Sequence, residues 1–129
     1  DLGVSAPSLS VVLRGMDAVV NGGGTAAASR IADPAFAFGG KTGTSQVRRI
    51  SQAERDRGVK KNEELPWRQR DHALFVGFGP VDNPRYAISV LVEHGGGGSK
   101  VAAPVARDVL KLTMERDPTR PRAMARNET

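Results

Sequence analysis

The amino-acid sequence predicts an α+β fold, in which a three-stranded antiparallel sheet is flanked by helices. Two segments with alternating apolar residues, 72–79 and 85–93, lie on either side of a turn sequence and predict a β-hairpin. A glycine-rich segment with alternating phenylalanines, 35–47, predicts a third strand. Apolar residues recur at helical spacing near both ends of the chain, at 8–20 and 101–114.

The first predicted helix begins at Ser8 and ends at the glycines after Asn21, because glycine readily takes the left-handed conformation that closes a helix. Arg14 and Asp17 fall on its polar side. The opposite stripe comprises Leu9, Val12, Leu13, Met16, Val19 and Val20. This spacing predicts an amphipathic helix of about a dozen residues.

The predicted strand at 35–47 reads AFAFGGKTGTSQV, so that Phe36 and Phe38 alternate with small residues. Its three glycines would weaken an ordinary strand. They fit a strand that another backbone or a ligand approaches closely.

Residues 48–71 connect this strand to the hairpin and show no clean periodicity. They contain 8 basic and 5 acidic residues, so we expect a long exposed loop. A short helix can form near 52–57. Loops of this length in compact domains are usually functional or disordered.

The hairpin turn, residues 80–84, is rich in proline and in Asp and Asn, which favour turns. The glycines at 95–98 end the second strand, and Ser99 is placed to cap the final helix. The stripe of that helix comprises Val101, Val105, Val109 and Leu112, with Ala102, Ala106 and Met114 beside it. We expect residues 1–116 to form part of a domain and residues 117–129 to be a disordered basic tail.

Composition limits the classes of protein that fit. The 129 residues are 39% hydrophobic and 26% charged, which is typical of one globular domain or a piece of a larger one. The absence of cysteine excludes a disulfide framework and a cysteine-ligated zinc site. A net charge of +5 permits an anionic partner, but the basic residues do not cluster on one predicted face, which disfavours nucleic acid. No apolar run is long enough to cross a bilayer.

The motif Lys41-Thr42-Gly43-Thr44 places an ammonium and two hydroxyls together on a predicted strand. Such a strand can bind an anionic group through these side chains and offer backbone hydrogen bonds to an extended peptide. The glycine leaves one side open for that approach. For the tetrapeptide alone, a surface lysine beside a turn is the alternative interpretation.

A phosphate-binding P-loop is a rival interpretation, because Gly40-Lys41-Thr42 matches the end of that motif. The P-loop requires a further glycine five positions before Gly40, where Ala35 stands. It should also open into a helix, and no amphipathic stripe follows Val47. An NTPase is therefore disfavoured.

A Lys-Thr-Gly strand is the third signature of penicillin-binding proteins and serine β-lactamases, and the sequence resembles this family well beyond the motif. Residues 4–25 resemble the helix and glycine turn that precede the strand in high-molecular-weight class B transpeptidases. Residues 70–110 resemble the two strands and the C-terminal helix that follow it. The Asp71-His72 pair and the turn at 93–96 are most similar to the members that act in cell elongation.

The resemblance implies a fragment of the serine β-lactamase and transpeptidase fold. In this family a serine attacks the penultimate D-Ala of a peptidoglycan stem peptide, a second peptide resolves the acyl-enzyme, and β-lactam antibiotics acylate the same serine. The implied roles are charge and proton relay for Lys41, and binding of the substrate carboxylate by the hydroxyls of Thr42 and Thr44. Gly43 completes the substrate-binding set, and the Thr44 N–H is implied as an oxyanion donor.

The sequence departs from the family at the nucleophile. Transpeptidases need a Ser-x-x-Lys and a Ser-x-Asn motif, and none of the eight serines has Lys three residues on or Asn two residues on. Ser45 comes closest, with Arg48 at the third position, but arginine stays protonated and cannot act as a base. We therefore expect this polypeptide alone to be inactive, with the nucleophile in the upstream half of the same domain.

The resemblance also implies a setting. The parent protein would act at the periplasmic face of the bacterial inner membrane, with its anchor upstream of Asp1, and would work with the membrane proteins of the elongation complex. No cofactor is implied. In the family the strand at 85–93 pairs with an N-terminal strand that this sequence lacks, so we expect its outer edge to be open.

Four alternative interpretations are weighed against this one. The missing serine motifs fit a non-catalytic peptide-binding module of the same fold, and the net charge fits a small nucleic-acid binder. His72 and His94 could suggest a metal pair, but good sites need three or four ligands, so a structural role at the strand ends is favoured. The glycines at 95–98 could cradle an anion before a helix, although a flexible turn is favoured.

Overall fold

Three antiparallel strands in chain order form the centre of the computed structural model, which describes residues 3–119. The helices are α1 (Ala6–Asn21), α2 (Gln52–Arg57) and α3 (Ala102–Glu115). The strands are β1 (Gly39–Ser45), β2 (His72–Gly79) and β3 (Tyr86–Val92). The predicted fold class, the hairpin and the short helix at 52–57 are confirmed.

The sheet has the order β1-β2-β3, so that the strand with the Lys-Thr-Gly-Thr motif lies at one edge beside the hairpin. Lys41 lies opposite Val76, and Thr44 lies opposite Ala73. Within residues 3–119 no strand pairs with the outer edge of β3. The outer edge of β1 is open over the same range.

Helices α1 and α3 lie on opposite faces of the sheet. A Cβ atom built on Gly39 would lie 3.1 Å from the Asp17 nitrogen of α1, whereas one on Gly79 would lie 3.0 Å from the Met114 sulfur of α3. The core on the α3 face contains Phe75, which meets Phe38 edge to face with 6.0 Å between ring centroids.

The predicted buried stripe of α3 is wrong. Val105, Val109 and Leu112 are 44%, 49% and 47% exposed, and the helix instead buries Ala102, Ala103, Ala106, Leu110 and Met114. Small alanine side chains let the helix backbone approach the sheet closely, so alanine rather than valine sets which side faces inward. The predicted cap is also wrong, since a turn at 98–101 precedes the helix and Val101 occupies the N-cap position.

Helix α1 begins earlier than predicted and buries less of its stripe. Ser5, not Ser8, is the N-cap, and its hydroxyl accepts a hydrogen bond from the Ser8 N–H at 3.3 Å. Val20 is fully buried, whereas Leu9 and Val12 are 43% and 55% exposed. The apolar stripe therefore leaves the sheet towards the start of the helix and lies open there.

Strand β1 begins at Gly39 rather than at residue 35. The Asp33 carboxylate accepts a hydrogen bond from the Ala35 N–H at 2.9 Å and starts a short 3₁₀ turn that buries Phe36. The loop at 48–71 holds α2 and two further 3₁₀ turns. Of the predicted tail, residues 120–129 lie outside the described part of the chain.

None of the helices in the described range has the length and apolarity that a bilayer crossing requires.

Candidate functional site

Strand β1 runs from a buried start to an exposed end, and the candidate motif occupies the transition. Gly39 and Gly40 are buried, whereas Lys41 and Thr44 are exposed. Thr42 and Gly43 between them are half-buried. The fold thus displays the motif along an open sheet edge, where an extended peptide can pair with the backbone.

The polar groups of the motif lie close to the strand. The Lys41 ammonium donates a hydrogen bond to the Thr42 carbonyl oxygen at 2.8 Å. The Thr42 hydroxyl lies 2.9 Å from the hydroxyl of Thr25, in the turn that follows α1. Thr25 was not predicted as part of the site, because nothing in its local sequence indicates that its turn meets β1. The edge therefore carries one ammonium and three hydroxyls, of Thr25, Thr42 and Thr44.

Gly40 and Gly43, on either side of Lys41 in β1, have different roles. A Cβ atom on Gly40 would lie 2.1 Å from the Phe75 ring, so this glycine admits a core aromatic residue. The three nearest atoms to a Cβ atom on Gly43 all belong to Leu74, and the shortest distance is 3.3 Å, to its Cβ atom. Gly40 thus belongs to the core, whereas Gly43 belongs to the exposed site.

Gly98 packs against the backbones of β1 and β2 where the two strands pair. A Cβ atom on Gly98 would lie 2.3 Å from the Leu74 carbonyl oxygen and 2.4 Å from that of Gly43. The backbone of the turn before α3 is therefore packed directly on the paired strands β1 and β2. Gly98 is thus the position at which this glycine run packs on the motif strand, and no sequence pattern indicates this contact.

Replacing Gly98 by alanine is expected to destabilise the chain by about 2 kcal/mol, because the backbone oxygens that the new Cβ atom meets cannot move without breaking the β1–β2 ladder. Urea unfolding followed by circular dichroism measures this change. Gly97→Ala is the matched control, since a Cβ atom there has no atom of the described chain within 4 Å. Equal stability of the two variants would contradict the packing role of Gly98.

Asp71 ties the long loop to both neighbouring segments. Its N–H donates to the Asn62 side-chain oxygen at 2.9 Å, and its carbonyl oxygen accepts from the Gly96 N–H at 2.8 Å. Its carboxylate accepts from the Val47 N–H at 3.4 Å, just beyond β1. The loop is thereby anchored beside the exposed end of the motif.

The two histidines join the ends of β2 and β3. The His94 N–H donates to Nδ1 of His72 at 2.8 Å, and the two rings lie 4.6 Å apart. His94 Nδ1 also lies 2.9 Å from the Arg70 carbonyl oxygen, and the Trp67 ring meets His94 edge to face. These contacts support the structural role predicted for the pair.

An ion pair holds the first part of the loop. Both terminal nitrogens of Arg48 donate to the Glu54 carboxylate, at 2.7 and 2.6 Å. The hydrogen bond from Arg48 is the main cause that lowers the pKa of Glu54 from its ordinary value of 4.5. Because the folded-state pKa is depressed, the pair stabilises the loop above pH 4.5 and this contribution is lost as the pH falls through the folded value.

Acidification is therefore expected to loosen the helix at 52–57 before the sheet unfolds, and Arg48→Gln should have the same local effect at neutral pH. Amide chemical shifts and temperature coefficients measured by NMR report this change. Arg49→Gln is the control, because Arg49 makes no ion pair within residues 3–119. An unchanged helix in Arg48→Gln would show that the pair does not hold the loop.

Comparison with known proteins gives one domain family and a consistent set of relatives. Residues 2–111 match the penicillin binding protein transpeptidase domain. The peptidoglycan D,D-transpeptidase MrdA of Acinetobacter baumannii is 44% identical over 94 residues, which are 70% of this chain and 13% of that protein. The protein of the same name from Haemophilus influenzae is 38% identical over 97 residues, 75% of this chain and 14% of that one.

Solved structures agree with the sequence relatives. Pseudomonas aeruginosa PBP2 in complex with WCK 5153 superposes with a TM-score of 0.68 at 36% identity and covers 95% of this chain and 23% of its own. PBP2 of Helicobacter pylori, in a complex with MreC, superposes with a TM-score of 0.65 at 28% identity. The match covers 87% of this chain and 18% of the H. pylori chain. The chain thus spans a small part of the length of the relatives it matches.

Proposed function

The chain belongs to the penicillin-binding protein transpeptidase domain family, and we propose that it is the part of a peptidoglycan D,D-transpeptidase that supplies the substrate-binding strand. The observation that carries the proposal is the display of Lys41, Thr42 and Thr44 on an open sheet edge. An edge strand can pair with an extended stem peptide while these side chains hold its terminal carboxylate.

The proposed reaction has two acyl-transfer steps. A serine outside this chain attacks the carbonyl carbon of the penultimate D-Ala, and the terminal D-Ala leaves with a proton on its nitrogen. The amine of a second peptide then attacks the acyl-serine, releases the serine oxygen with a proton, and forms the cross-link. A β-lactam acylates the same serine through its ring carbonyl.

The residues of this chain contribute charge and orientation to both steps. The Lys41 ammonium places positive charge beside the attacking serine, and the hydroxyls of Thr42 and Thr44 bind the carboxylate of substrate or drug. The Thr44 N–H donates to the oxyanion that forms on the attacked carbonyl. Loss of one such donor typically costs about a hundredfold in rate or more.

The relatives support a proposal for the setting of the parent protein. We propose that the parent protein resembles penicillin-binding protein 2, acts in the periplasm during cell elongation, and assembles with membrane proteins of the elongation complex. The H. pylori relative, which forms a complex with MreC, supports an assembly of this kind. The chain itself is proposed to be inactive, because its sequence has no Ser-x-x-Lys motif.

That same missing motif favours one alternative, a non-catalytic module that binds peptides through the Lys41 strand. Labelling with a fluorescent penicillin separates the two functions. It is carried out on this chain alone and on the chain co-folded with the upstream half of its domain, and adducts are located by mass spectrometry.

The transpeptidase proposal expects an adduct in the co-folded sample alone, on a serine of the upstream half. No adduct in either sample would support the binding module instead. An adduct on one of the eight serines of this chain would overturn the proposal that it lacks the nucleophile.

A further inference from the structure

A basic cavity lies between the long loop and the turn before α3. Its volume is about 730 Å³, and it is lined by Lys61, Arg70 and Lys100. Glu63 is the acidic residue of the lining, so the ionisable side chains leave a net charge of +2. The remaining walls include the glycine turn at 95–97.

The cationic side chains of the cavity form no ion pair within the described part of the chain. Within residues 3–119, neither Lys61 nor Lys100 forms an ion pair. Arg70 uses Nε to donate to the Leu65 carbonyl oxygen at 3.0 Å, which fixes the side chain and leaves both terminal nitrogens without a partner in this range. The Arg70 backbone is fixed as well, because its carbonyl oxygen lies 2.9 Å from the His94 ring.

The turn adds neutral donors to these charges. The N–H groups of Gly97 and Ser99 and the Ser99 hydroxyl make no hydrogen bond within the described part of the chain, and both residues line the cavity. Backbone N–H groups of a glycine turn are good donors to anions, since no side chain blocks the approach. The two lysine ammonium groups, the Arg70 guanidinium and these neutral donors together can bind a carboxylate.

The cavity adjoins the candidate strand. Gly98, between the lining residues Gly97 and Ser99, is packed so closely on the Gly43 backbone that a Cβ atom added to it would lie 2.4 Å from the Gly43 oxygen. Asp71 connects the same turn and the same loop to Val47, at the end of β1. The cavity thus lies beside the Val47 end of β1, and this position is the geometric basis for assigning it to a peptide that pairs with β1.

We propose that this cavity binds a side-chain carboxylate of the peptide substrate, in addition to the terminal carboxylate held at Thr42 and Thr44. The inference rests on the proposed function, since it assigns a second recognition point to the same peptide. One peptide would then place its terminal carboxylate at the β1 strand and its side-chain carboxylate in the cavity.

NMR of the ¹⁵N-labelled chain tests the proposal with acetyl-D-Glu-L-Lys-D-Ala-D-Ala and with its counterpart that carries D-Gln in place of D-Glu. We expect the first peptide to shift the amide signals of Gly97 and Ser99 and to bind about fivefold more tightly than the second. Lys61→Gln with Lys100→Gln should remove this preference, whereas Glu63→Gln should strengthen binding about twofold. Lys111→Gln, on the far part of α3, is the matched control.

The outcomes separate the two proposals. If both peptides shift only the amides of 42–44 and to the same extent, the cavity proposal is overturned and the substrate strand stands. If neither peptide shifts any amide, both proposals lose their support. If acetate at the same concentration shifts Gly97 and Ser99 as the peptide does, the site holds an adventitious ion only and the cavity proposal is overturned.

Discussion

Replacing Gly40 by alanine is expected to destabilise the fold by about 3 kcal/mol or more, a larger loss than that expected for Gly98→Ala. The new Cβ atom would lie 2.1 Å from the Phe75 ring and 2.6 Å from the Val76 carbonyl oxygen. Phe75 is fully buried and meets Phe38 edge to face, so its ring cannot move away without opening the core. Chemical denaturation measures the loss.

The matched control is Gly15→Ala, in the middle of α1. A Cβ atom at Gly15 has no neighbour within 4 Å in the described chain, and alanine favours a helix over glycine by about 0.8–1.0 kcal/mol. This variant should therefore be slightly more stable than the parent chain. A Gly40→Ala variant as stable as Gly15→Ala would mean that Phe75 does not fill the space over Gly40.

Replacing Lys41 by alanine is expected to slow penicillin acylation of the co-folded domain by about a hundredfold, as is usual when one preorganised electrostatic group is removed from an acyl-transfer site. The side chain is exposed and donates one hydrogen bond, to the Thr42 carbonyl oxygen, so the fold should be unaffected. Time-resolved labelling gives the rate, and a thermal melt of the same sample verifies the fold.

Lys111→Ala serves as the control for charge, because Lys111 is also an exposed lysine and lies on α3, with Glu115 at 3.7 Å as its partner. It should acylate at the unchanged rate. If Lys41→Ala also acylates at the unchanged rate, the strand binds substrate without any part in activating the serine, and the role implied for Lys41 is wrong.

Sequence reasoning succeeds where the pattern is local. The alternation at 86–92 and the turn at 80–84 depend on neighbours along the chain, so the hairpin could be predicted in position and pairing. It fails for α3, where two stripes of small and branched residues compete. Choosing between the Val105 and Ala106 sides requires knowing how closely the helix approaches the sheet, which is a property of the packed structure.

The candidate site divides in the same way. Its chemistry is contained in four consecutive residues, so a motif suffices to find it. Its supports are distant in sequence: Thr25 lies 17 residues from Thr42, and Gly98 is more than 50 residues from Gly43. Neither has a local pattern that indicates its partner, and both could be identified only from the folded chain.

The unequal lengths of the two strand connections have a consequence for the order of assembly. Residues 80–85 join β2 to β3, whereas residues 46–71 join β1 to β2, so closing the second loop costs about 1 kcal/mol more chain entropy if both are flexible. The hairpin is thus expected to form first and the motif strand to join it last. A peptide that pairs with the edge of β1 is then expected to slow local opening of that last-formed strand, because it binds the closed form of the edge.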